Sequence, residues 1–257
     1  MLQSPTDPDA TYREKAGKKH RGYVANLEES VGKNGSVITD YQLEQNTYSD
    51  SQFLRDSLQK TEHQETESVI IADGAYCGAE NTALADSKNI RLVTTDLTGI
   101  DVPDIYADFE LNKEGNRILK CPVGHSPVSC CCSSSNGHIH ASFSKEACKN
   151  CPHKKECKVR EHKNVWSIDI SATAQYRAIT RRYMRTDEFK ALARLRNGVE
   201  TLPSLLRNKY HVDHMAVRGK IRSRFFFGCK VAALNIRKLF TYRNGLGNYA
   251  QNPLLVE

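Results

Sequence analysis

Apolar and polar positions along the chain change period several times, and each change predicts an element. Gly22-Tyr-Val-Ala-Asn-Leu27 and Ser36-Val-Ile-Thr-Asp-Tyr-Gln-Leu43 alternate with the two-residue period of a strand. Gly32-Lys-Asn-Gly35 between them is a hairpin turn signal. Ser49 to Leu58 opens on helix-start residues and carries an apolar stripe from Phe53 and Leu54 to Leu58, which predicts a helix. Val69-Ile-Ile-Ala72 is a compact apolar strand, Glu80–Lys88 a helix stopped near Asn89, and Ile90-Arg-Leu-Val93 a second short strand. A strand–helix–strand crossover implies a parallel pair beside the hairpin, hence a mixed sheet. The first 20 residues are polar and rich in turn formers, and read as irregular. Residues 111–165 show little apolar periodicity. From about Thr173 to Tyr242 the pattern becomes helical, with Phe225–Phe240 its most apolar stretch. Gly245 and Gly247 end it, and the last residues read as a tail.

The fold class expected is therefore α/β, a mixed sheet with flanking helices plus a small cysteine-rich insert. The expected boundaries are 1–110 for the α/β core, 111–165 for the insert, 166–244 for a basic helical segment completing the core, and 245–257 for the tail.

Charge divides the chain. The net charge of +7 conceals 15 Lys+Arg against 22 Asp+Glu in residues 1–150, a balance of −7. Residues 151–243 hold 22 against 7, a balance of +15. Such a basic half suits a polyanion, because Lys and Arg that neutralise phosphates release counterions. No apolar run reaches the roughly 20 residues that span a bilayer, and the start has no signal-peptide pattern. Cytosol is the expected location.

Seven of the nine cysteines fall between 121 and 157. In a cytosolic chain that clustering points to metal rather than disulfides. Cys121-Pro-Val-Gly-His125 and Cys148-Lys-Asn-Cys151-Pro-His-Lys-Lys-Glu-Cys157 frame the insert, and a Cys-x2-Cys with further cysteines nearby is structural-zinc spacing. Cys121, Cys148, Cys151 and Cys157 are the expected Zn²⁺ tetrad. His125, His153 and the run Cys130-Cys131-Cys132 compete for places in it. Cys77 and Cys229 read as small buried hydrophobes, and Trp166 carries no signal.

Two carboxylates stand out. Asp73 ends the strand Ser68-Val-Ile-Ile-Ala72 and is followed by glycine, a setting that presents a rigid metal ligand where the backbone turns. Mg²⁺ takes one or two such carboxylates together with substrate phosphate. Glu200 lies between Arg196 and Arg207, and at 100° per residue the three share roughly one helix face. Gly198 and Pro203 interrupt that helix. Pro203 either kinks it or sits in the first turn of a new one starting near Leu202.

Asp73-Gly-Ala-Tyr76 resembles the second-acid motif of insertion-sequence DDE transposases. Arg196-x3-Glu200-x6-Arg207 resembles their Tyr, Arg, Glu and Lys signature, with Arg207 in the lysine place and Ala193 where that signature has Tyr. Thr6-Asp-Pro-Asp-Ala10, Gly22-Tyr23, Val217-Arg-Gly-Lys220 and Asn235-Ile-Arg-Lys-Leu239 are further echoes, so the resemblance runs from about residue 4 to 242. It is similar to the subgroup with a cysteine-rich insert between the second and third acids.

The resemblance implies a ribonuclease-H-like fold and Mg²⁺- or Mn²⁺-dependent nicking and strand transfer at element ends. Asp73 and Glu200 would be catalytic metal ligands. Arg196, Arg207, Lys209, Arg218 and Lys220 would contact double-stranded DNA, in a bacterial nucleoid-associated protein that is a homodimer when active. The family's first Asp lies on a strand ahead of the segment that Thr6–Ala10 resembles. The chain therefore reads as a C-terminal portion lacking that strand; Asp7 or Asp9 could substitute for the missing acid, though each sits beside Pro8 in a turn-like stretch. A non-catalytic DNA-binding remnant with a structural zinc site is the alternative.

Overall fold

The computed structural model describes residues 6–15, 17–32, 35–96, 99–199 and 201–244. In chain order the elements are β1 (Thr11–Lys15), β2 (Lys18–Gly32), β3 (Gly35–Gln45), α1 (Asp50–Lys60), β4 (Ser68–Ala72), α2 (Ala79–Ser87) and β5 (Ile90–Thr94). Then come β6 (Glu110–Leu111), β7 (Ile118–Lys120), β8 (Ser129–Cys132), β9 (His138–Ser144), α3 (Lys145–Lys149), β10 (Arg160–Glu161) and β11 (Val165–Ser171). Four helices follow: α4 (Ala172–Met184), α5 (Asp187–Val199), α6 (Thr201–Tyr210) and α7 (Lys220–Arg243). The chain divides into two compact units, one of residues 1–94 with 190–257 and one of residues 95–189.

In the first unit β2 and β3 form a long antiparallel hairpin, with a register shift at Glu28/Glu29. Ile38 and Leu43 of β3 are buried with Leu202 and Leu206 of α6 and Phe227, Val231 and Leu234 of α7. Asn235 of α7 fixes this docking: its amide donates to the Ile38 carbonyl at 2.8 Å and its oxygen accepts from the Ile38 amide at 2.9 Å. It thereby satisfies a backbone pair that a half-buried strand edge would leave open. Gly228 is the residue of closest approach, since a Cβ there would overlap the Tyr41 hydroxyl.

The predicted crossover is present. β4 and β5 pair in parallel with Ser68 opposite Ile90 and Ala72 opposite Thr94. α1 and α2 cover the pair through Leu54, Leu58, Ala85 and Ile90. Ser49 caps α1 by accepting from the Gln52 amide. The parallel pair and the hairpin are separate sheets rather than one mixed sheet.

The irregular lead-in expected over the first 20 residues is corrected: Thr11–Lys15 pairs with Lys18–Gly22 as an outer strand. Lys18, Lys19, His20 and Arg21 are polar on both faces because this end of the hairpin is exposed throughout, so no alternation marks it. Cys229 is also corrected. It is exposed, because it lies on the side of α7 away from Phe227, Val231 and Leu234.

The second unit holds the antiparallel sheet β10-β11-β9-β8. Ile139, Ala141 and Phe143 of β9 and Ile168 and Ile170 of β11 point into its core with Ile105, Tyr106, Phe109 and Ile118. α4 is held to the preceding loop by arginines. Arg181 meets Asp96 at 2.8 Å and Asp101 at 2.9 Å, and Arg182 meets Asp108 at 2.6 Å. Among the described residues no helix is long and apolar enough to cross a membrane.

Candidate functional site

β4 carries the chain to Asp73, where the strand stops. The Asp73 carboxylate accepts from the Gly74 amide at 2.6 Å and caps a single 3-10 turn, Gly74–Tyr76. The strand thus positions the Asp73 backbone, and its own turn fixes the side chain.

The turn is tied down on two sides. The Tyr76 hydroxyl donates to the Asn26 Oδ1 of β2 at 2.7 Å. The Asn81 amide of α2 donates to the Tyr76 carbonyl and to the Ser51 carbonyl, each at 2.9 Å. Burial, with the negative charges of Asp50, Asp73 and Glu28, pushes the Tyr76 phenol up to about 12, so it stays a donor at neutral pH. Burial likewise raises the Glu28 carboxyl, against a hydrogen bond from Ser57. Asn26 and Asn81 carry no periodic or motif signal, and sequence reasoning missed them.

Arg196 comes to this turn from α5. Its Nη1 lies 3.6 Å from Asp73 Oδ1, with the arginine mostly covered and the carboxylate half exposed. Residues 123 positions apart are thereby brought together. Glu200 lies outside the described residues. Pro203 occupies the first turn of α6. Arg207 is exposed and faces Asp213 at 3.6 Å. Lys220 is engaged by Glu44, whereas Lys209 and Arg218 are exposed.

Asp7 and Asp9 stand at the start of α7. Asp7 accepts from the Gly219 amide at 3.0 Å and from the Tyr23 hydroxyl at 2.7 Å, and Asp9 accepts from the Lys220 amide at 3.2 Å. Burial alone would raise the Asp7 carboxyl. The bonds from Gly219, Tyr23, Ala10 and Asp9 outweigh it and hold the group below its usual value. Gly219 has φ +84, a conformation glycine adopts without strain.

In the second unit Cys121, Cys148, Cys151 and Cys157 line one small apolar cavity with Phe109, Phe143 and His153. The Cys121–His125 loop closes on itself: the Cys121 amide donates to the His125 carbonyl at 2.9 Å, and the Gly124 amide to the Cys121 carbonyl at 2.8 Å. The short helix α3 presents Cys148, and Cys151 follows it. Burial raises the Cys157 thiol to about 12, with further push from Cys151, Cys121 and Cys148. Cys148 is raised by burial and by Cys151 and Cys121.

Cys130 instead turns toward β7, its sulfur accepting from the Ile118 amide at 3.4 Å. Cys131 and Cys132 are exposed. Among the described residues no three His, Cys, Asp or Glu side chains stand as a group ready to hold a metal. The four thiols share a cavity without the closeness of a formed cage.

Neither a curated protein nor a solved structure matches the chain. Residues 120–240 match the family model of the transposase DDE domain.

Proposed function

We propose that the chain serves metal-dependent DNA strand cleavage and transfer, with Asp73 and Glu200 as the metal-holding carboxylates on a ribonuclease-H-like core. The observation that carries this reading is the approach of Arg196 to Asp73 at 3.6 Å. A half-exposed carboxylate at a strand end can take a hard cation, and a guanidinium displaced from it by that cation can hold a phosphate. Mg²⁺ or Mn²⁺ bound there would activate the attacking oxygen and stabilise the leaving one.

The chain's own residues have separate parts. Asp73 offers oxygen at a position fixed by the Gly74 amide. Arg196 balances its charge and is placed to hold a phosphate. Tyr76, Asn26 and Asn81 keep the turn rigid. Arg207, Lys209, Arg218 and Lys220 would add contacts to double-stranded DNA. The protein would work as a homodimer at the nucleoid.

The cysteine cavity supports a structural Zn²⁺ site of Cys121, Cys148, Cys151 and Cys157. The cavity is apolar, and metal ligation would supply stability that so small an insert has few other ways to obtain.

A second reading, DNA binding without cleavage, is favoured by one observation. Asp7 and Asp9 are committed to the start of α7, which argues against either as the first acid. A nicking assay on supercoiled DNA with Mn²⁺, run beside the Asp73→Ala variant, tests both. Nicking that disappears in the variant supports catalysis by this site. Binding without nicking supports the second reading, and nicking that survives in the variant removes Asp73 from the mechanism.

A further inference from the structure

We infer that the β1–β2 hairpin and the first two turns of α7 form one binding surface for a DNA strand with unpaired bases. The inference rests on the DNA reading above but adds Lys18, Lys19, His20 and Arg21, which lie outside the basic half, to the cations at the start of α7. Lys18, Lys19, His20 and Arg21 project from the exposed end of the hairpin. They have no ion-pair partner among the described residues, and neither do Arg218 and Arg222. By contrast, many cations of the basic half are already matched. Arg181, Arg182 and Arg185 are held by Asp96, Asp101, Asp104 and Asp108, Arg207 by Asp213 and Lys238 by Glu29.

The two unmatched clusters lie about 200 positions apart in sequence and are fixed to each other in the fold. Asp7 and Asp9 bind the Gly219 and Lys220 amides, 212 and 211 positions away. Tyr23, one residue past the β1–β2 pairing, donates to Asp7. Gln45 donates to the Asp9 carbonyl and Asn46 to the Thr11 carbonyl. The base of the hairpin is therefore anchored at the start of α7. Its tip stands about four residues further out, roughly 13 Å at the rise of a strand, a span of about two nucleotides of an extended strand.

Two large apolar side chains stand among these cations. Ile221 is 85% exposed and Phe225 73% exposed, one helical turn apart on one face of α7. They add nothing to the Phe227–Val231–Leu234 core, and a solvated basic face has no use for them. Cations that track phosphates beside an aromatic face that takes a base are the parts of a single-strand site, because every base has a π-face to stack. Charge complementarity selects a polyanion as the occupant. Exposed apolar surface selects unpaired bases over a closed duplex.

The test titrates the full chain with fluorescent oligothymidylate and with a duplex of the same length at several salt concentrations. Replacing Lys18, Lys19 and Arg21 together by Ala should weaken both complexes and flatten the single-strand salt slope by about 2, at roughly 0.7 for each phosphate no longer neutralised. Phe225→Ala should weaken single-strand binding about tenfold or more and leave its salt slope and the duplex affinity unchanged. All replaced residues are exposed, so unchanged melting temperatures confirm folding. If the parent binds neither DNA, the DNA reading itself falls and this surface with it. If the parent binds but the hairpin variant keeps the parent slope, or Phe225→Ala keeps the parent single-strand affinity, this surface is wrong and the DNA reading stands.

Discussion

Arg196 reaches Asp73 from a helix that begins more than a hundred residues later, and its guanidinium lies 3.6 Å from the carboxylate. Under the metal reading proposed above, the same carboxylate would serve a divalent ion. The two compete for one carboxylate, and this gives opposite signs to two substitutions. Asp73→Ala should weaken Mn²⁺ binding at least tenfold, since it removes one of few carboxylate ligands. Arg196→Ala should tighten Mn²⁺ binding severalfold while weakening DNA binding, because it frees the carboxylate and takes away a phosphate partner. Calorimetric titration of Mn²⁺ and a DNA-binding titration on each variant read both signs. Weaker Mn²⁺ binding in Arg196→Ala would show that the arginine supports the ion rather than competing with it.

Asp7 supplies a pH-dependent latch. Its folded value lies below the ordinary 3.8. Its stabilisation is therefore present above the unfolded value and is lost as pH falls through the folded one. Asp7→Asn should destabilise the chain at pH 7, because bonds to a charged carboxylate are stronger than bonds to a neutral amide oxygen. The gap in melting temperature between parent and variant should narrow once pH falls below the ordinary 3.8. A gap that stays constant from pH 7 to pH 3 would mean that the charged form contributes nothing to the latch.

Close packing between Gly228 and Tyr41 gives a third expectation. A methyl at position 228 would meet the Tyr41 hydroxyl and the ring behind it. Gly228→Ala should therefore cost about 1–3 kcal/mol by overpacking, even though alanine is the better helix former. Tyr41→Ala in the same chain should recover part of that loss, read as non-additivity in denaturant unfolding. Equal or greater stability of Gly228→Ala alone would show that α7 moves away at no cost.

How far the sequence could be read follows from what each residue answers to. β4, β5 and α2 were legible because their apolar runs are short, bounded and buried. The hairpin was legible in Ile38 and Leu43, whose alternation meets α7. β1 was not, since Thr11-Tyr-Arg-Glu14 carries no apolar alternation and none of these residues is fully buried. β9 and β11 carry clean alternation in Ile139, Ala141 and Phe143 and in Trp166, Ile168 and Ile170, yet the surrounding Cys, Ser and Gly residues drew attention to metal chemistry instead. Trp166 is buried beneath Lys154, whose ammonium sits 4.0 Å from the ring centroid.

Several of the family echoes outside the acid pair make structural contacts. Asp7, Tyr23, Gly219 and Lys220 form the latch at α7, and Asn235 clamps Ile38. Spacing alone cannot show such a role, because the partners are about 200 residues apart.

The cysteine cavity yields the last expectation. Cys148 and Cys157 are raised, by burial first and by neighbouring thiols next, so both are protonated at neutral pH in the metal-free chain. An ion can bind four thiolates only by expelling those protons. Zn²⁺ affinity measured against a competing chelator should therefore climb steeply from pH 6 to pH 8. Cys148→Ser and Cys151→Ser should each abolish tight binding and expose residues 121–157 to protease, because the cavity they line joins that loop to Phe109 and Phe143. Cys131→Ser should change neither, since that thiol is exposed on β8. A chain that binds Zn²⁺ equally at pH 6 and pH 8, or keeps full occupancy in the Cys148→Ser, Cys151→Ser double variant, would place the ion elsewhere or remove it from the fold.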